Sequence, residues 1–274
     1  MPFFEKLNNL DRRIIFFTLA LSVILPLVFP LKILPAISEP VKNVHKHIEK
    51  LPEGSVCVLC FDYYATTAIE CEPIAFAVGR HLLSRNMKVI TYNLIPDGTG
   101  MSMKVMRQLG EELGKEYGKD YVVMGFKTGA MVAIKSFDED VHMAFPADAY
   151  GTPIKEIPMM KNVRNHKDID FLFTVADNKS IDYHVMMDYT QFKIPVAGGC
   201  TAVSAPELYP YLNSKQLLGL LAGLKGAAEY EVLIEHHGSA IECMDPQSFA
   251  HFTIVFFIIL SNIAYFISRK KEKK

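Results

Sequence analysis

Polar side chains stand directly after several short apolar runs of this sequence, where a binding or catalytic site would be built. Asp62 ends the first run, and lysine, threonine, asparagine or further aspartate residues follow later runs. A carboxylate that faces a lysine can orient a phosphorylated or cationic ligand, and glycine admits a ligand close to the backbone. The candidate ligand-binding residues are Asp62, Tyr63, Tyr64, Asp97, Thr99, Lys127, Thr128, Asp177, Asn178, Gly199, Cys200 and Thr201. Turns and helix caps use the same residue types, so an ordinary loop role stays open for each of them.

Five of the apolar runs have the length and continuity of strands that are buried on both faces. A strand in a parallel sheet covered by helices is apolar throughout, whereas a half-exposed strand alternates. The runs lie at residues 56–62, 88–95, 120–126, 169–176 and 194–197, with helix-like segments between them. This alternation predicts a three-layer α/β fold with a parallel sheet, in a Rossmann-like or a flavodoxin-like strand order. Because the carboxyl ends of parallel strands share one edge, the candidate residues should gather there.

Three segments outside the strands carry further expectations. A helix should begin at Pro73, because proline suits the first turn of a helix. Residues 137–164 are rich in proline and aspartate and have the length of a lid or a binding loop. A long helix is predicted over 214–235, in which Gly219, Gly223 and Gly226 would allow another helix to approach closely. The approaching element is either a helix of another subunit or of the membrane segments, or the glycines allow this helix to pack on the protein's own sheet.

Apolar segments near both ends are long enough to cross a bilayer. They cover 14–36 and 249–268, and basic residues such as Arg12, Arg13 and Lys270 lie outside them. The positive-inside rule then places both termini in the cytoplasm of a two-pass membrane protein and the central domain outside the cytoplasm. The predicted organisation is a cytoplasmic N-terminus (1–13), a span (14–36), a solvated linker helix (37–54), an α/β domain (55–248), a second span (249–268) and a basic cytoplasmic tail (269–274). Two alternatives stay open, a cleaved signal peptide at the first segment and a hairpin of both segments with a cytoplasmic domain.

Composition and missing motifs argue against several classes of function. The formal net charge is −1, so no overall basic field attracts nucleic acid, which is not an expected partner. No G-x-G-x-x-G motif follows the first strand, and neither a P-loop nor a G-x-S-x-G motif occurs. The start FDYYATT resembles that of haloacid dehalogenases, in which an aspartate nucleophile is followed two residues later by a second acid. Tyr64 occupies that second position here, which argues against phosphatase chemistry.

The sequence predicts neither a metal site nor a cofactor, and it assigns no catalytic residue. Its five cysteines form no disulfide framework, and Cys57 and Cys60 fall within a strand, where their side chains face opposite ways. His236 and His237 lie close to Cys243 in the sequence, but no four-ligand zinc pattern accompanies them. We therefore expect buried thiols and a polar turn at these places.

Three segments, FDYYATTAIECEP, DAYGTPIKEIPMMK and ELYPYLNSKQLLGLLAGLKGAAEYE, resemble a family of uncharacterised membrane-anchored prokaryotic proteins. The resemblance covers most of the chain from Val41 onward and implies one coherent domain flanked by spans, without an activity. Attachment at both ends limits the reach of a domain, which suits a component of a membrane assembly. We therefore expect a non-catalytic binding or scaffolding module whose partners are the lipid bilayer and other membrane proteins or a second copy of the chain. The alternative is a membrane-anchored hydrolase or transferase that uses Asp62 and Lys127.

Overall fold

The computed structural model describes residues 11–31 and 34–272, and its centre is a parallel sheet of six strands. The strands are β1 (Val56–Asp62), β2 (Lys88–Asn93), β3 (Tyr121–Phe126), β4 (Phe171–Ala176), β5 (Val196–Cys200) and β6 (Leu220–Ala222). Their order across the sheet is β3-β2-β1-β4-β5-β6, and each neighbouring pair is parallel. This is the Rossmann order, so the predicted α/β class is confirmed and the flavodoxin-like alternative is wrong.

Helices cover both faces of the sheet. In chain order they are α1 (Arg12–Val28), α2 (Glu39–Lys50), α3 (Ala68–Ser84), α4 (Asp97–Leu113), α5 (Met131–Glu139), α6 (Val141–Ala144), α7 (Ser180–His184), α8 (Ala205–Asn213), α9 (Gly223–Leu233) and α10 (Ser239–Glu272). Helices α2, α3, α4 and α9 pack together on one face, and α5 to α8 cover the other. Helix α7 continues into a π-helical turn over Val185–Tyr189.

Strand β1 lies at the centre of the sheet, between β2 and β4. All of its residues after Val56 are buried, which explains the unbroken apolar run in the sequence. Successive side chains point to opposite faces, and Val58 and Cys60 pack into the layer that contains α5 to α8. Asp62 lies two residues after Cys60, so its side chain points to the same face of the sheet, towards α5 to α8.

The segment predicted to be a lid forms part of the core instead. Phe137, Val141, Ile154 and Met160 are buried against the sheet, and three 3₁₀ turns carry the chain back to β4 at Ile154–Glu156, Pro158–Asn162 and His166–Asp168. The prediction was wrong because the prolines and aspartates suggested an exposed loop, whereas the apolar residues between them form part of the core. Residues 137–164 therefore build one wall of the α/β unit.

The long helix predicted over 214–235 is also wrong, because β6 interrupts it and α9 begins only at Gly223. Gly219 lies before β6, where a side chain would overlap Pro40 and approach Val44 of α2 to 2.6 Å. Gly223 has φ +58° and would place a methyl group 2.7 Å from Glu70. Gly226 packs against the backbone of Leu221. The three glycines thus serve packing within the unit, which is the second of the two roles considered for them.

Helix α2 is part of the α/β unit and is not a solvated linker. The compact unit covers Pro35–Ala240, and Val41, Val44 and Ile48 of α2 are buried. Ser38 donates its backbone N–H to Glu229 Oε2 at 2.8 Å, which ties the start of α2 to α9. The apolar stripe of α2, at helical spacing, therefore faces the protein.

Helix α3 begins at Ala68, before Pro73, so the predicted start is wrong. The residue before this helix, Thr67, donates its hydroxyl to the carboxylate of Asp177 on a distant loop. This contact holds the first turn in place before the proline is reached. A long-range contact of this kind leaves no local signal in the sequence.

The terminal helices form a compact unit of their own. In the described part of the chain, one helix is long and apolar enough to cross a membrane, Ser239–Ile267, and its most apolar stretch of 18 residues has a mean hydropathy of 2.0. Helix α1 has 17 residues, which lies at the lower limit of the roughly 17–25 residues that cross a bilayer. Parts of the predicted first span (32–33) and of the predicted tails (1–10 and 273–274) lie outside the described residues. The residues that the structure describes therefore contain one candidate membrane helix, and the two-pass arrangement stays a prediction.

Candidate functional site

The carboxyl ends of β1 and β4 meet where the strand order reverses, and hydrogen bonds join their loops. Asp177 Oδ2 accepts from the backbone N–H of Tyr64 at 3.0 Å and from the hydroxyl of Thr67. Asn178 donates from Nδ2 to the backbone oxygen of Asp62 at 2.6 Å. The structure thus brings the backbone of Asp62 together with Tyr64, Asp177 and Asn178, as the gathering of strand ends predicts.

The end of β5 joins the same edge of the sheet through Glu70 in the first turn of α3. Its Oε2 accepts from the backbone N–H of Ala202 at 2.8 Å. The Thr201 hydroxyl forms a hydrogen bond with the Ser204 hydroxyl at 2.9 Å and so stabilises its own loop. A small acidic cavity of about 140 Å³ lies between the β4 and β5 loops and includes Asp177 in its wall. Sites for drug-sized ligands usually have roughly 300–1,000 Å³.

This crevice lacks the features that bind a nucleotide phosphate in Rossmann folds. There, backbone N–H groups of a glycine-rich turn after the first strand hold the phosphate at the start of the next helix. Here the turn consists of residues 63–67, YYATT, and contains no glycine. The carboxylate of Asp177 already occupies its donors, the backbone N–H of Tyr64 and the hydroxyl of Thr67. A phosphate would meet negative charge where it needs hydrogen-bond donors.

The predicted residues that follow β2 and β3 do not join this group. Asp97 is exposed and Thr99 half-buried at the start of α4, and Thr128 is exposed beyond β3. Lys127 donates from Nζ to the backbone oxygen of Ala144. Within the described structure, no ion pair links Lys127 to Asp62. The pairing on which the hydrolase or transferase alternative depends is therefore missing.

The remaining predicted residues face the interior. Tyr63 and Cys200 are buried. A side chain at Gly199 would approach Ile74 of α3 to 2.6 Å, so this glycine allows α3 to pack closely. Burial, assisted by the charge of Glu70, raises the pKa of the Cys200 thiol to about 12. These positions maintain packing and present no reactive group at the edge.

The side chain of Asp62 enters a buried polar cluster beneath the layer of α5 to α8. Its Oδ1 accepts from the backbone N–H of Leu94 at 2.6 Å, and its Oδ2 lies 3.9 Å from His184 Nε2. His184 Nδ1 is hydrogen-bonded to Asp188 Oδ2 at 2.8 Å. The other oxygen of Asp188 lies 2.8 Å from His166 Nε2. Asp62, His184 and Asp188 are fully buried, and His166 is only 3% exposed.

Charges within this cluster stabilise one another. Burial opposes the protonation of His184, but Cys60, Asp188 and Asp62 outweigh it, and the pKa of His184 is raised well above its usual range. Burial also opposes the charge of Asp188, yet hydrogen bonds from His166 and His184 hold its pKa below the usual range. Burial raises the pKa of the neighbouring Cys60 thiol to about 11. The structure thus gathers a thiol, an imidazole and two carboxyl groups whose affinities for protons depend on one another.

Two groups of described side chains bring three metal-ligating atoms within 4.8 Å of one another. The first group is Cys60, Asp62 and His184, and the second is His45, Glu49 and His81. In the second group both ring nitrogens of His81 already have partners, the Tyr230 hydroxyl at 2.7 Å and Glu49 Oε1 at 2.8 Å. The first group retains unpartnered ligating atoms at Asp62 Oδ2 and His184 Nε2.

Sequence reasoning did not identify His166, His184 or Asp188. His184 and Asp188 are spaced i, i+4, which places two side chains on one face of a helix and is a signal that the sequence contains. His166 lies on a 3₁₀ turn, and its approach to Asp188 depends on how residues 137–168 fold back onto the sheet. No local pattern predicts that contact.

The chain is thus an α/β protein of Rossmann topology whose usual binding crevice is closed and whose polar cluster lies inside. No protein-family model and no curated protein matches it. Among solved structures, the glycotransferase of kitacinnamycin shows 12% sequence identity, covering 68% of this chain and 41% of that chain, with a TM-score of 0.25. The chain thus corresponds to less than half of that structure. Because the score is so low, the fold assignment depends on the strand order alone.

Proposed function

We propose that the chain is a membrane-anchored α/β module that acts by binding a neighbouring membrane protein, without catalysis. The observation that supports this proposal most is a group of exposed apolar side chains beside the crevice. The hydrogen-bond donors of that crevice are already occupied by Asp177. The predicted catalytic pair is not formed, and the acceptor Asp177 fills the place of a ligand phosphate. A sheet edge that is closed to small ligands but apolar on its surface is suited to protein contact.

We define the apolar rim as Tyr64, Ile69 and Val203, which are 44%, 73% and 85% exposed. The three residues belong to the same edge, because Glu70, next to Ile69, accepts a hydrogen bond from Ala202, next to Val203. Tyr64 is held there by Asp177. Large apolar side chains this exposed gain free energy when a partner covers them, at about 25 cal/mol per Å² of buried apolar surface.

The rim is best tested by introducing charge at its most exposed position. Val203→Asp should remove a protein that co-purifies with the full-length chain after mild detergent extraction, because a carboxylate at the contact is costly to bury. Native mass spectrometry of the extracted complex would measure this loss. Lys119→Asp is the control, since Lys119 is 63% exposed and precedes β3 at the opposite edge of the sheet.

Both variants should unfold like the wild-type protein to within about 0.5 kcal/mol, as is usual for exposed positions. Unchanged protein composition in Val203→Asp would refute a role of the rim in binding. A small molecule retained on the monomer, without any partner protein, would instead favour a ligand-binding or enzymatic function.

The proposed location is a two-pass protein of the cell membrane, with both termini in the cytoplasm and the α/β unit outside. Its support is the apolar helix Ser239–Ile267, the apolar α1 and the basic residues that flank them in the sequence. Protease added to sealed spheroplasts should then degrade the α/β unit, as detected with an antibody against it. Complete protection in sealed spheroplasts, with cleavage after lysis, would place the unit in the cytoplasm.

A further inference from the structure

Three side chains with different metal-ligating atoms converge in the buried polar cluster. Cys60 and Asp62 are alternate residues of β1 and face the same side, and His184 ends α7 above them. Their ligating atoms lie within 4.8 Å of one another, and all three residues are fully buried. The three atoms comprise one sulfur, one carboxylate oxygen and one ring nitrogen.

Two of these atoms lack the hydrogen bonds that burial demands. Asp62 Oδ2 and His184 Nε2 lie 3.9 Å apart, which is too long for a hydrogen bond, and among the described residues neither atom has a partner at hydrogen-bond geometry, although the Cys60 thiol interacts with His184. The hydroxyl of Tyr92 is also buried without a partner in the described part of the chain, and the carboxyl groups of Asp188 and Asp62 act on it. Each unsatisfied buried polar group destabilises the folded state. Several such groups in one place are typical of a site that holds an ion or a buried water.

The other polar atoms of the same two side chains, His184 Nδ1 and Asp62 Oδ1, are fixed by hydrogen bonds. His184 Nδ1 is hydrogen-bonded to Asp188 Oδ2 at 2.8 Å, which leaves the Nε2 lone pair directed at the cluster when the ring is neutral. Asp62 Oδ1 accepts from the backbone N–H of Leu94 at 2.6 Å, which leaves Oδ2 as the available oxygen. A carboxylate behind a ligating histidine and a hydrogen bond to a ligating carboxylate are the usual supports of a metal site.

We propose that Cys60 Sγ, Asp62 Oδ2 and His184 Nε2 bind a zinc ion that stabilises the α/β unit. Thiolate, imidazole and carboxylate are the ligands that zinc takes in proteins, and three protein ligands leave one position for a further oxygen. A thiolate and a carboxylate together neutralise the charge of Zn²⁺, which favours the ion in a site that excludes water. Two ligands about 2 Å from a zinc ion stand roughly 3.3 Å apart at the tetrahedral angle. The 3.9 Å gap between Asp62 and His184 therefore has to close slightly.

The charge balance of binding is simple. Zn²⁺ replaces the thiol proton of Cys60 and the Nε2 proton of His184, and both protons pass to solvent as the ion binds. Because the three ligands are fully buried, the ion enters as the chain folds. The second group, His45, Glu49 and His81, is not proposed as a site, since both ring nitrogens of His81 are already hydrogen-bonded.

The test is the metal content of the full-length protein, expressed with zinc in the medium and purified in detergent. Elemental analysis should find about one zinc ion per chain in the wild-type protein. Cys60→Ser and His184→Gln should lose most of it, whereas the control Cys57→Ser should keep it. Cys57 is a buried cysteine of the same strand and lies outside the cluster. Asp188→Asn leaves all three ligands in place and should weaken zinc binding by about 10–100-fold, as measured by competition with a chelator.

Cobalt(II) gives a second measurement that does not depend on how the variants fold. The wild-type protein refolded with Co²⁺ should show a thiolate-to-cobalt charge-transfer band in the near ultraviolet, and X-ray absorption should find a single sulfur ligand. The proposal is overturned if the wild-type protein contains no zinc and takes up neither zinc nor cobalt on refolding. A cobalt site without sulfur, or full zinc content in Cys60→Ser, would overturn it equally.

Discussion

Replacing Gly98 with alanine is expected to lower the free energy of unfolding of the α/β unit by about 3 kcal/mol or more. Gly98 lies in the first turn of α4, where the helix presses against the end of β1. An added methyl group would overlap the backbone oxygen of Phe61 and approach the side chain of Asn93 to 2.8 Å. A backbone oxygen cannot rotate away as a side chain can, so either the helix or the central strand must move.

The change should be measured by urea unfolding followed by circular dichroism, because the chain has no tryptophan. Gly100→Ala is the matched control, since Gly100 lies in the same helix with open space around it. That variant should be neutral or stabilised by up to about 1 kcal/mol, as alanine favours a helix over glycine. If Gly98→Ala is as stable as Gly100→Ala, the close contact between α4 and β1 is contradicted.

The first four strands of the sheet were predictable because burial on both faces leaves an unbroken apolar run. β1 is the clearest case, with every residue after Val56 buried. β5 was predicted at 194–197 but lies at Val196–Cys200, because Gly198 and Gly199 look like the loop that follows a strand. These glycines lie inside β5, where an added methyl group would come within 3.1 Å of Ile181 at Gly198 and within 2.6 Å of Ile74 at Gly199. Such a reason for glycine depends on the neighbouring helices, which the local sequence does not contain.

The sixth strand could not be predicted from its own residues. β6 is only three residues long, Leu220–Ala222, and is flanked by the small residues that suggested a helix. It forms because its backbone pairs with β5 over Gly198 to Cys200. Strand pairing of this kind is decided by the tertiary structure, which overrides local propensity.

The candidate site was predictable in part. The gathering of strand ends follows from a parallel sheet, and it correctly places Asp177 and Asn178 beside the end of β1. The side on which the Asp62 side chain lies was also predictable, because alternate residues of a strand share a face and Val58 and Cys60 face the core. His184 was not predictable as a neighbour of Asp62, because more than a hundred residues separate them in the chain and only the fold of α5 to α8 brings them together.

Replacing Asp62 with alanine is the second change with a large expected effect, a loss of about 3–5 kcal/mol in the free energy of unfolding. The carboxylate accepts from the backbone N–H of Leu94 at 2.6 Å and faces His184 at 3.9 Å, in a fully buried position. Removing it leaves an unpaired backbone donor and takes away one of the carboxylates that balance the positive charge of an imidazolium or of a bound ion. Asp62→Asn should cost less, because its amide oxygen can still accept from Leu94.

Asp170→Ala is the matched control, because Asp170 accepts from the backbone N–H of Val56 at 2.8 Å at the opposite, exposed end of the same strand. Its loss should cost only about 1 kcal/mol, since water can replace the hydrogen bond there. Each variant removes one hydrogen bond to a backbone N–H, so the difference between their free energies of unfolding, measured with urea, reports the effect of burial. Similar losses for Asp62→Ala and Asp170→Ala would mean that water reaches the Asp62 end of β1. The zinc site depends on a buried interior there, so that result would contradict it.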